Sequence, residues 1–420
     1  MQAPLKSRVD TLLRRALVRL PESLAPASCG GALELELQRP SDRRRGDYAS
    51  NIALRLASAS RQDPRSIARA IKTALPPDPA LARVEIGGCG FINVFVSEGA
   101  YHQEIRRALR EDRRYGHCAL GRGQALTVEV AAVDPGHALH VGEARRAALG
   151  ASIAALLAAV GYRVTRECRI LNGTRRELGR VTEELAAFRV IVDDWCESGA
   201  SVPASRRGVA IGRLAPSSVL HRGHGAPAES MTLKALREAI GTDGARLFCV
   251  MRASDHPLTL DLDLARRRCY ENPLYAIQYA HARVASMRKE ISDRGLEREM
   301  SPPAPDGGDT PDGGDTLDGG DTLDGGDTLE RLTEPEEGAL MRELCGFPEV
   351  VERAARERAP QLLALYLVGL AAGLHAYHAV HPLVARDPAL RRARGALAGA
   401  VQIAIRNGLS LLGVAAPDTV

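Results

Sequence analysis

Apolar residues near the N-terminus recur every three or four positions, which is the spacing of one helix side. Val9, Leu12, Leu13, Ala16 and Leu17 follow this spacing and predict an amphipathic helix. Alternating or β-rich segments predict strands at 32–38, 84–86 and 91–96. Further helices are predicted, the first after a Gly-Asp turn, at 46–57, 64–75 and 102–115. These elements indicate a small α+β domain at the start of the chain.

The middle of the chain has the pattern of one strand–helix–strand unit. Residues 126–133 and 162–170 predict strands and 140–160 a helix, which together are typical of the first unit of a doubly wound α/β sheet. Residues 198–230 are rich in Gly, Pro and Ser and predict a loop. The rest of the chain is helical in pattern and predicts an all-α bundle, with long helices at 231–250, 273–292, 334–357, 359–380 and 387–412.

The charged residues are unevenly distributed. Of 56 basic residues only four are lysines, and the formal net charge of the 420 residues is +4. The repeat at 306–329, four hexapeptides of the form Asp-Gly-Gly-Asp-Thr-Leu/Pro, contributes eight Asp, so the remaining body is more basic than the total indicates. A basic body suits a polyanionic partner. The repeat is too short to bury a core, which favours a disordered insert over a calcium-binding roll.

Several classes of protein are disfavoured by the sequence. The eight cysteines contain no Cys-x-x-Cys pair, which argues against a zinc ribbon or a disulfide scaffold and fits a reduced cytoplasm. No apolar run is expected to span a membrane, and the first helix is basic and amphipathic, unlike a signal peptide. No metal site is indicated. We therefore expect a cytoplasmic protein without a membrane segment.

One segment resembles a known signature. Residues 128–145, Val-Glu-Val-Ala-Ala-Val-Asp-Pro-Gly-His-Ala-Leu-His-Val-Gly-Glu-Ala-Arg, resemble the loop that carries the His-Ile-Gly-His signature of class I aminoacyl-tRNA synthetases, specifically of arginyl-tRNA synthetase. Other segments are similar to that family in the same order along the chain: Gly46-Asp-Tyr with Asn51, Gly90-Phe-Ile-Asn-Val-Phe95, Leu260-Asp-Leu-Asp-Leu-Ala265, Gln278-Tyr-Ala-His-Ala-Arg283, Phe347-Pro-Glu-Val-Val351 and Asn407-Gly-Leu-Ser-Leu-Leu. The resemblance covers about 1–195 and 231–420.

The resemblance implies a fold of the class α/β plus all-α in three parts. The first, 1–115, is a small α+β N-terminal domain that binds tRNA. The second, 120–265, is a truncated class I Rossmann-like nucleotide domain. The third, 266–420, is a C-terminal helical anticodon-binding bundle of the DALR type, interrupted by the acidic repeat within a disordered insert at 301–330.

The resemblance also implies residues of a catalytic site. His140, Gly142 and Glu143 occupy the signature, where a helix N-terminus presents N–H groups to a phosphate. Glu129, on the preceding strand, matches the position that takes the α-amino group of arginine, and Asp134 lies in the same loop as a second substrate-binding position. The cofactor implied is ATP.

Residues for tRNA are implied in both flanking domains. Phe91 and Asn93 match the positions that read a base of the tRNA D-loop, an aromatic ring for stacking beside an amide for a base edge. Tyr279 and Arg283 lie in the segment similar to the start of the anticodon-binding bundle. The expected partner is tRNA-Arg, with a full-length synthetase as a further possible partner, and the expected oligomeric state is a monomer.

Three departures from the family concern catalysis. Glu143 replaces the second His of the signature and Asp134 replaces an Asn, so two carboxylates occupy a loop that should bind phosphates. Only 33 residues, 198–230, stand where the family has further βα units, and one βαβ unit alone needs roughly 30. No lysine lies between Lys72 and Lys234, where the family's Lys-Met-Ser-Lys loop would be.

These departures lead to a hypothesis and two alternatives. The hypothesis is a degenerate relative of arginyl-tRNA synthetase, a pseudoenzyme that binds tRNA-Arg and whose aminoacylation is impaired or lost. The first alternative is a working arginine–tRNA ligase with a minimal core. The second is a non-catalytic regulator or partner of a full-length synthetase.

Overall fold

A computed structural model of the chain describes residues 4–21, 23–24, 35–172, 174–197, 208–209, 220–222, 231–293, 326–382 and 385–420. They form two compact units. The first unit contains the described residues of 1–107 and 329–345. The second contains those of 108–328 and 346–420. The acidic repeat, except for its last residues, and the predicted strand residues 32–34 lie outside the described residues.

Helices and strands alternate along the first part of the described chain, and the last part is entirely helical. In chain order they are α1 (Leu5–Val18), β1 (Tyr48–Ser50), α2 (Ile52–Ser60), α3 (Pro64–Ala74), β2 (Leu81–Gly87), β3 (Phe91–Val96), α4 (Glu98–Glu111), β4 (Ala125–Val133), α5 (Val141–Ala159), β5 (Arg163–Ile170), α6 (Gly179–Ala187), β6 (Asp194–Glu197), β7 (Gly208–Val209), β8 (Leu220–Arg222), α7 (Leu233–Val250), β9 (Thr259–Asp261), α8 (Leu262–Arg266), α9 (Pro273–Asp293), α10 (Gly326–Leu329), α11 (Pro335–Leu344), α12 (Phe347–Glu357), α13 (Pro360–Val380) and α14 (Pro388–Leu411).

The first unit contains an antiparallel sheet in the order β1-β3-β2. One face of the central strand β3 is buried through Ile92, Val94 and Val96. Helix α3 packs on this sheet, and its Ile67 and Ile71 are also fully buried. Because side chains alternate along a strand, Phe91, Asn93 and Phe95 of β3 lie on the opposite face.

Helix α11 belongs to the first unit although it follows the insert in sequence. The Asp47 carboxylate, 5% exposed, accepts hydrogen bonds from the Tyr101 hydroxyl and from Nε of Arg342, each at 2.5 Å. Its second oxygen accepts one from Val96 N at 2.8 Å. A buried carboxylate with three donors is satisfied, so Asp47 ties α11 to β3 and α4.

The second unit contains a parallel sheet in the order β6-β5-β4-β7. Helix α5 crosses over β4 and β5, and its residues Val141, Ala148 and Leu156 are fully buried. The approach is closest at Gly150, where an added Cβ would lie 2.4 Å from the carbonyl oxygen of Val130. A second, two-stranded parallel sheet is formed by β8 and β9.

The helical part of the second unit is formed by α9 and α12 to α14, with α5 and α7 packed against it. Arg246 of α7 is 1% exposed and donates from Nη2 (2.8 Å) and Nε (3.2 Å) to the carbonyl oxygen of Leu412, which caps α14. Burial lowers the pKa of Arg246 to about 10, so the side chain stays charged at neutral pH. A cation at a helix C-terminus stabilises that end.

Helix α13 corrects the expectation that no segment is apolar enough for a membrane. By length and composition alone, Pro360–Val380 could cross one. In the structure its residues Leu363, Leu367, Leu370 and Leu374 are fully buried against neighbouring helices. This burial is what a core helix of a globular bundle requires.

The predicted fold class is confirmed, and most predicted elements are present within a few residues. Three local predictions are wrong. Residues 35–38 form no strand, only a bridge from Gln38 to Ala49. The helix predicted from residue 46 begins at Ile52, because Tyr48–Ser50 pair with β3 instead. The helix predicted over 334–357 is two helices that meet at Gly346, since Pro348 and Gly346 favour a helix start there.

The predicted loop at 198–230 also differs from the structure. Its described residues include β7, which pairs in parallel with Thr127 and Val128 of β4, and β8, which includes His221. The described residues thus place a strand of two residues beside β4. The rest of 198–230, apart from 220–222, lies outside the described residues.

Gly150→Ala is expected to destabilise the second unit. The added methyl group meets the backbone of β4, and overpacking of this kind costs about 1–3 kcal/mol. Gly338 of α11 has open space at the Cβ position, so Gly338→Ala is the matched control and should be neutral or stabilising by about 0.5–1 kcal/mol. Urea unfolding of both variants measures the difference. Equal effects would contradict the close packing of α5 on β4.

Candidate catalytic loop and RNA-binding faces

The signature loop lies where β4 ends and α5 begins. His140 is the residue before the first helical turn, and Gly142 and Glu143 lie within that turn. The loop follows the carboxyl end of β4. In the sheet order β4 lies between β5 on one side and β7 on the other, so the chain connections from β4 diverge at this point. Doubly wound sheets bind ligands at such a point. The loop therefore lies where sheets of this kind bind ligands.

The Glu143 carboxylate is used within the loop itself. Its Oε2 accepts a hydrogen bond from the backbone N–H of His140 at 2.9 Å. Glu143 is thus the acidic member of a capping box, three residues after the N-cap. Only 15% of its side chain is exposed. The Glu143 carboxylate thus accepts the hydrogen bond of the N-cap N–H, directly before the first helical residue.

Two neighbouring backbone donors of the loop are also satisfied by the chain. The N–H of Val141 donates to the carbonyl oxygen of Met231 at 3.0 Å, and that of Leu139 donates to Oε2 of Glu184 at 3.0 Å. In return, Leu233 donates to the carbonyl oxygen of Leu139 at 2.6 Å. The N–H groups of residues 139 to 141 therefore all have partners within the protein.

Asp134 is held at the mouth of the loop as an anion. It accepts hydrogen bonds from Nδ2 of Asn172 at 2.7 Å and from the N–H of Gly136 at 2.8 Å. These two bonds, the Asn172 one foremost, lower the pKa of Asp134. Asp134 is therefore ionised at neutral pH and adds a second negative charge beside Glu143.

Two histidines accompany these carboxylates. The ring nitrogens of His137 lie 4.0 Å from both Asp134 and Glu143. A hydrogen bond to the carbonyl of Ala138, followed by the two carboxylates, raises the pKa of His137. His140, whose ring centroid is 5.4 Å from that of His137, has a buried Nδ1 with no hydrogen-bond partner among the described residues. The predicted signature His is thus present in the loop.

Glu129 has a partner of its own. On β4 its carboxylate lies 2.5 Å from Nη2 of Arg169 on β5. About 28% of the Glu129 side chain is exposed, and the ladder is irregular directly after it, between Glu129 and Ala131. The Glu129 carboxylate, predicted to receive the α-amino group of arginine, is therefore paired with the guanidinium of Arg169 from the same chain.

The bonded donors and the carboxylates of this loop are unfavourable for an ATP triphosphate. Helix N-termini bind phosphate through free N–H groups and a positive end. Here the N–H groups of residues 139 to 141 are bonded, and Asp134 and Glu143 place negative charge at the same end. The N–H groups of residues 139 to 141 are thus not free for a phosphate in this conformation.

The Phe91 and Asn93 positions lie together on one face of the first unit's sheet, two residues apart on β3. Phe91 is 41% exposed and Asn93 only 8%. Gly87 faces Phe91 across the β2–β3 pair, and the Asn93 amide fills the space of its missing side chain, since an added Cβ would lie 2.7 Å from Nδ2. The ring is thus open to solvent, and the amide lies in a shallow site next to it.

Tyr279 and Arg283 lie one turn apart on α9, and both are half-buried. The Tyr279 ring stacks with that of Tyr275 at 5.4 Å between centroids and contacts Tyr270 and His375 at 5.9 and 5.7 Å. Tyr270 is 57% exposed, so this aromatic cluster reaches the surface. The arrangement is of the kind on which an unpaired base stacks.

Sequence reasoning missed several members of these sites. Asn172 was predictable, since it follows β5 just as Asp134 follows β4, and the ends of parallel strands meet at one edge. Glu184, Met231 and Arg169 gave no such signal, because nothing in their spacing pairs them with the loop.

One group of potential metal ligands lies on the neighbouring strands β5 and β6. Glu167, Asp194 and Cys196 have ligand atoms within 4.8 Å of one another. Each of them already has an interaction within the protein. These three side chains form an acidic cluster on β5 and β6.

Comparison with known proteins identifies both ends of the chain. The family model of the arginyl tRNA synthetase N terminal domain matches residues 11–96, and that of the DALR anticodon binding domain matches residues 277–420. The arginine–tRNA ligases of Nitrosospira multiformis and Moorella thermoacetica are 26% and 28% identical, over 99% and 98% of this chain and 99% of each relative. The first alignment extends over 607 positions, 187 more than the 420 residues of this chain.

Solved structures show the same fold. Thermus thermophilus arginyl-tRNA synthetase superposes with a TM-score of 0.72 at 16% identity, over 99% of this chain and all of that one. Plasmodium falciparum arginyl-tRNA synthetase superposes with a TM-score of 0.64 at 10% identity, over the whole of both chains. With both terminal family models, relatives matched end to end and a shared fold, this chain belongs to the arginyl-tRNA synthetase family.

Proposed function

We propose that this protein binds tRNA-Arg and that its aminoacylation is impaired or lost. The observation that carries the proposal is the occupied signature loop, where Glu143, Glu184 and Met231 take the N–H groups of residues 139 to 141. The protein acts in the cytoplasm as a monomer in this proposal. ATP is the cofactor of the family reaction that it performs weakly or not at all.

Electrostatics supports the loss of catalysis. Two unit charges about 4 Å apart interact by about 1 kcal/mol in water and about 4 kcal/mol near a protein surface. Glu143 and Asp134 would each repel a triphosphate by an amount in this range. Stabilisation of developing phosphate charge is what the family reaction needs from this loop. The carboxylates of Asp134 and Glu143 place negative charge there instead.

RNA binding does not depend on the same residues. Phe91 and Asn93 lie in the first unit, and Tyr279 and Arg283 lie in the helical part of the second. Exposed arginines are also present in the first unit, at Arg43–Arg45. Basic residues and open aromatic rings are the usual means of binding folded RNA. These surfaces stay intact whatever happens at the signature loop.

A working arginine–tRNA ligase is the second candidate. It is favoured by the comparisons, because curated arginine–tRNA ligases match this chain over 99% of both sequences. In that case the loop opens on binding, Glu143 leaves the His140 N–H, and the Met231 segment moves away. The two candidates therefore differ in a measurable property.

The first test measures catalysis. We expect ATP–pyrophosphate exchange, with and without tRNA, and charging of tRNA-Arg with labelled arginine to be no faster for the natural protein than for His140→Ala. A full-length arginyl-tRNA synthetase assayed in parallel establishes that the reagents are active. Charging well above the His140→Ala rate would reject the first candidate and support the ligase.

The second test measures RNA binding. Filter binding of tRNA-Arg at 50 and 200 mM salt should show an affinity that falls at least tenfold, since each neutralised phosphate adds about 0.9 to the log–log salt slope for duplex and about 0.7 for single strands. A tRNA for another amino acid is the control for specificity. Absence of salt-dependent binding would reject both candidates and favour the partner of a full-length synthetase.

The third test concerns the charge of Glu143. Glu143→Gln keeps an acceptor for the His140 N–H and removes the negative charge, so MgATP is expected to bind about five- to tenfold more tightly than to the natural protein. Glu183→Gln, on the exposed side of α6, is the matched control and should change nothing. Calorimetric titration measures both. Equal affinities for the two variants would mean that charge at position 143 does not oppose nucleotide.

A further inference from the structure

The solvent-facing side of the first unit's sheet extends beyond Phe91 and Asn93. Across the β2–β3 pair, Gly87 faces Phe91, Glu85 faces Asn93 and Arg83 faces Phe95. Side chains of one strand at i, i+2 and i+4 share a face, so these six positions form one surface. We call it the sheet platform.

Arg83 and Phe95 form a flat unit at one end of the sheet platform. The guanidinium carbon of Arg83 lies 3.7 Å from the centroid of the Phe95 ring. Its Nε donates to Oε1 of Glu85 at 2.8 Å. Ring and carboxylate together fix the guanidinium plane, while 59% of the Arg83 side chain stays exposed. The outer side of this plane is open to a ligand.

Asn93 lies between the two ends and is unusual in its lack of partners. It is 92% buried, and its side-chain amide makes no hydrogen bond to any residue that the structure describes. Its amide atoms are not among the fully buried polar atoms that lack a partner, so they still reach solvent at this face. A ligand can therefore supply hydrogen-bonding groups to this amide, as the edge of a base does.

The spacing of the sheet platform suits two bases. Same-face positions along a strand are about 6.6 Å apart, so Phe91 and Phe95 are about 13 Å apart with Asn93 midway. An exposed ring stands at one end and an exposed guanidinium plane at the other. Rings and guanidinium planes are the two surfaces on which proteins stack unpaired bases.

We propose that Arg83, backed by Phe95 and held by Glu85, is a second stacking position for an unpaired nucleotide of the bound RNA, next to the one at Phe91. This inference rests on the proposed RNA binding and deepens it. Arg83 acts here through its planar surface rather than as a point charge. Two bases splayed over the sheet platform then flank the Asn93 amide.

The experiment compares tRNA-Arg affinities of Arg83→Ala and Arg83→Lys by filter binding. Lysine keeps the positive charge and removes the planar stacking surface. Because both variants lose the stacking surface, each is expected to bind about tenfold more weakly than the natural protein. Arg69→Ala, on the exposed side of α3, changes the charge equally and should have little effect. Thermal melting of each variant checks that the unit stays folded.

Salt dependence adds a second readout. Loss of a stacking contact leaves the log–log salt slope unchanged, whereas loss of a phosphate contact lowers it by about 0.7–0.9. Affinity that survives in Arg83→Lys, or a reduced slope in Arg83→Ala, would overturn the stacking role. If the natural protein binds no tRNA, the proposed function fails instead. If Phe91→Ala weakens binding while Arg83→Ala matches Arg69→Ala, only the second stacking position is rejected.

Discussion

The first N–H groups of a helix have no acceptor within the helix. Where a helix begins at a ligand site, these N–H groups bond either the ligand or another part of the protein. At the start of α5 the partner is the protein itself. The Glu143 carboxylate bonds the His140 N–H at 2.9 Å, and the Met231 carbonyl bonds the Val141 N–H at 3.0 Å. In the segment that resembles a phosphate-binding signature, the N–H groups of residues 140 and 141 are therefore bonded by the chain itself.

The fold was largely predictable because periodicity is a local property. The strand–helix–strand unit from β4 to β5 and the long helices of the bundle follow directly from apolar spacing. The failures have long-range causes. Tyr48 joined a strand because β3 offered a pairing partner, and β7 joined the sheet because β4 had an unpaired side. Neither partner is visible from the segment itself, so propensity alone favours a helix and a loop.

The candidate site was predictable in its position and in its unfavourable charges, but not in its hydrogen bonds. Glu143 and Asp134 stood out as departures within a recognisable motif. The capture of loop donors by Glu184 and Met231 joins residues 45 and 90 positions apart in sequence, so only the folded chain reveals it. The Glu129–Arg169 pair is similar, because it needs β4 and β5 side by side.

The same substitution that weakens a phosphate site strengthens the fold. A glutamate three residues after the N-cap bonds the backbone and complements the positive end of the helix, and such caps stabilise by about 1 kcal/mol. A catalytic loop has to leave those donors free, which is a cost in stability that function alone justifies. Phe91, Arg83 and Tyr279, the proposed RNA contacts, are side chains on strands and a helix and take up no such backbone donors. The stability gained at the start of α5 and the free donors that phosphate binding needs therefore compete for the same backbone groups.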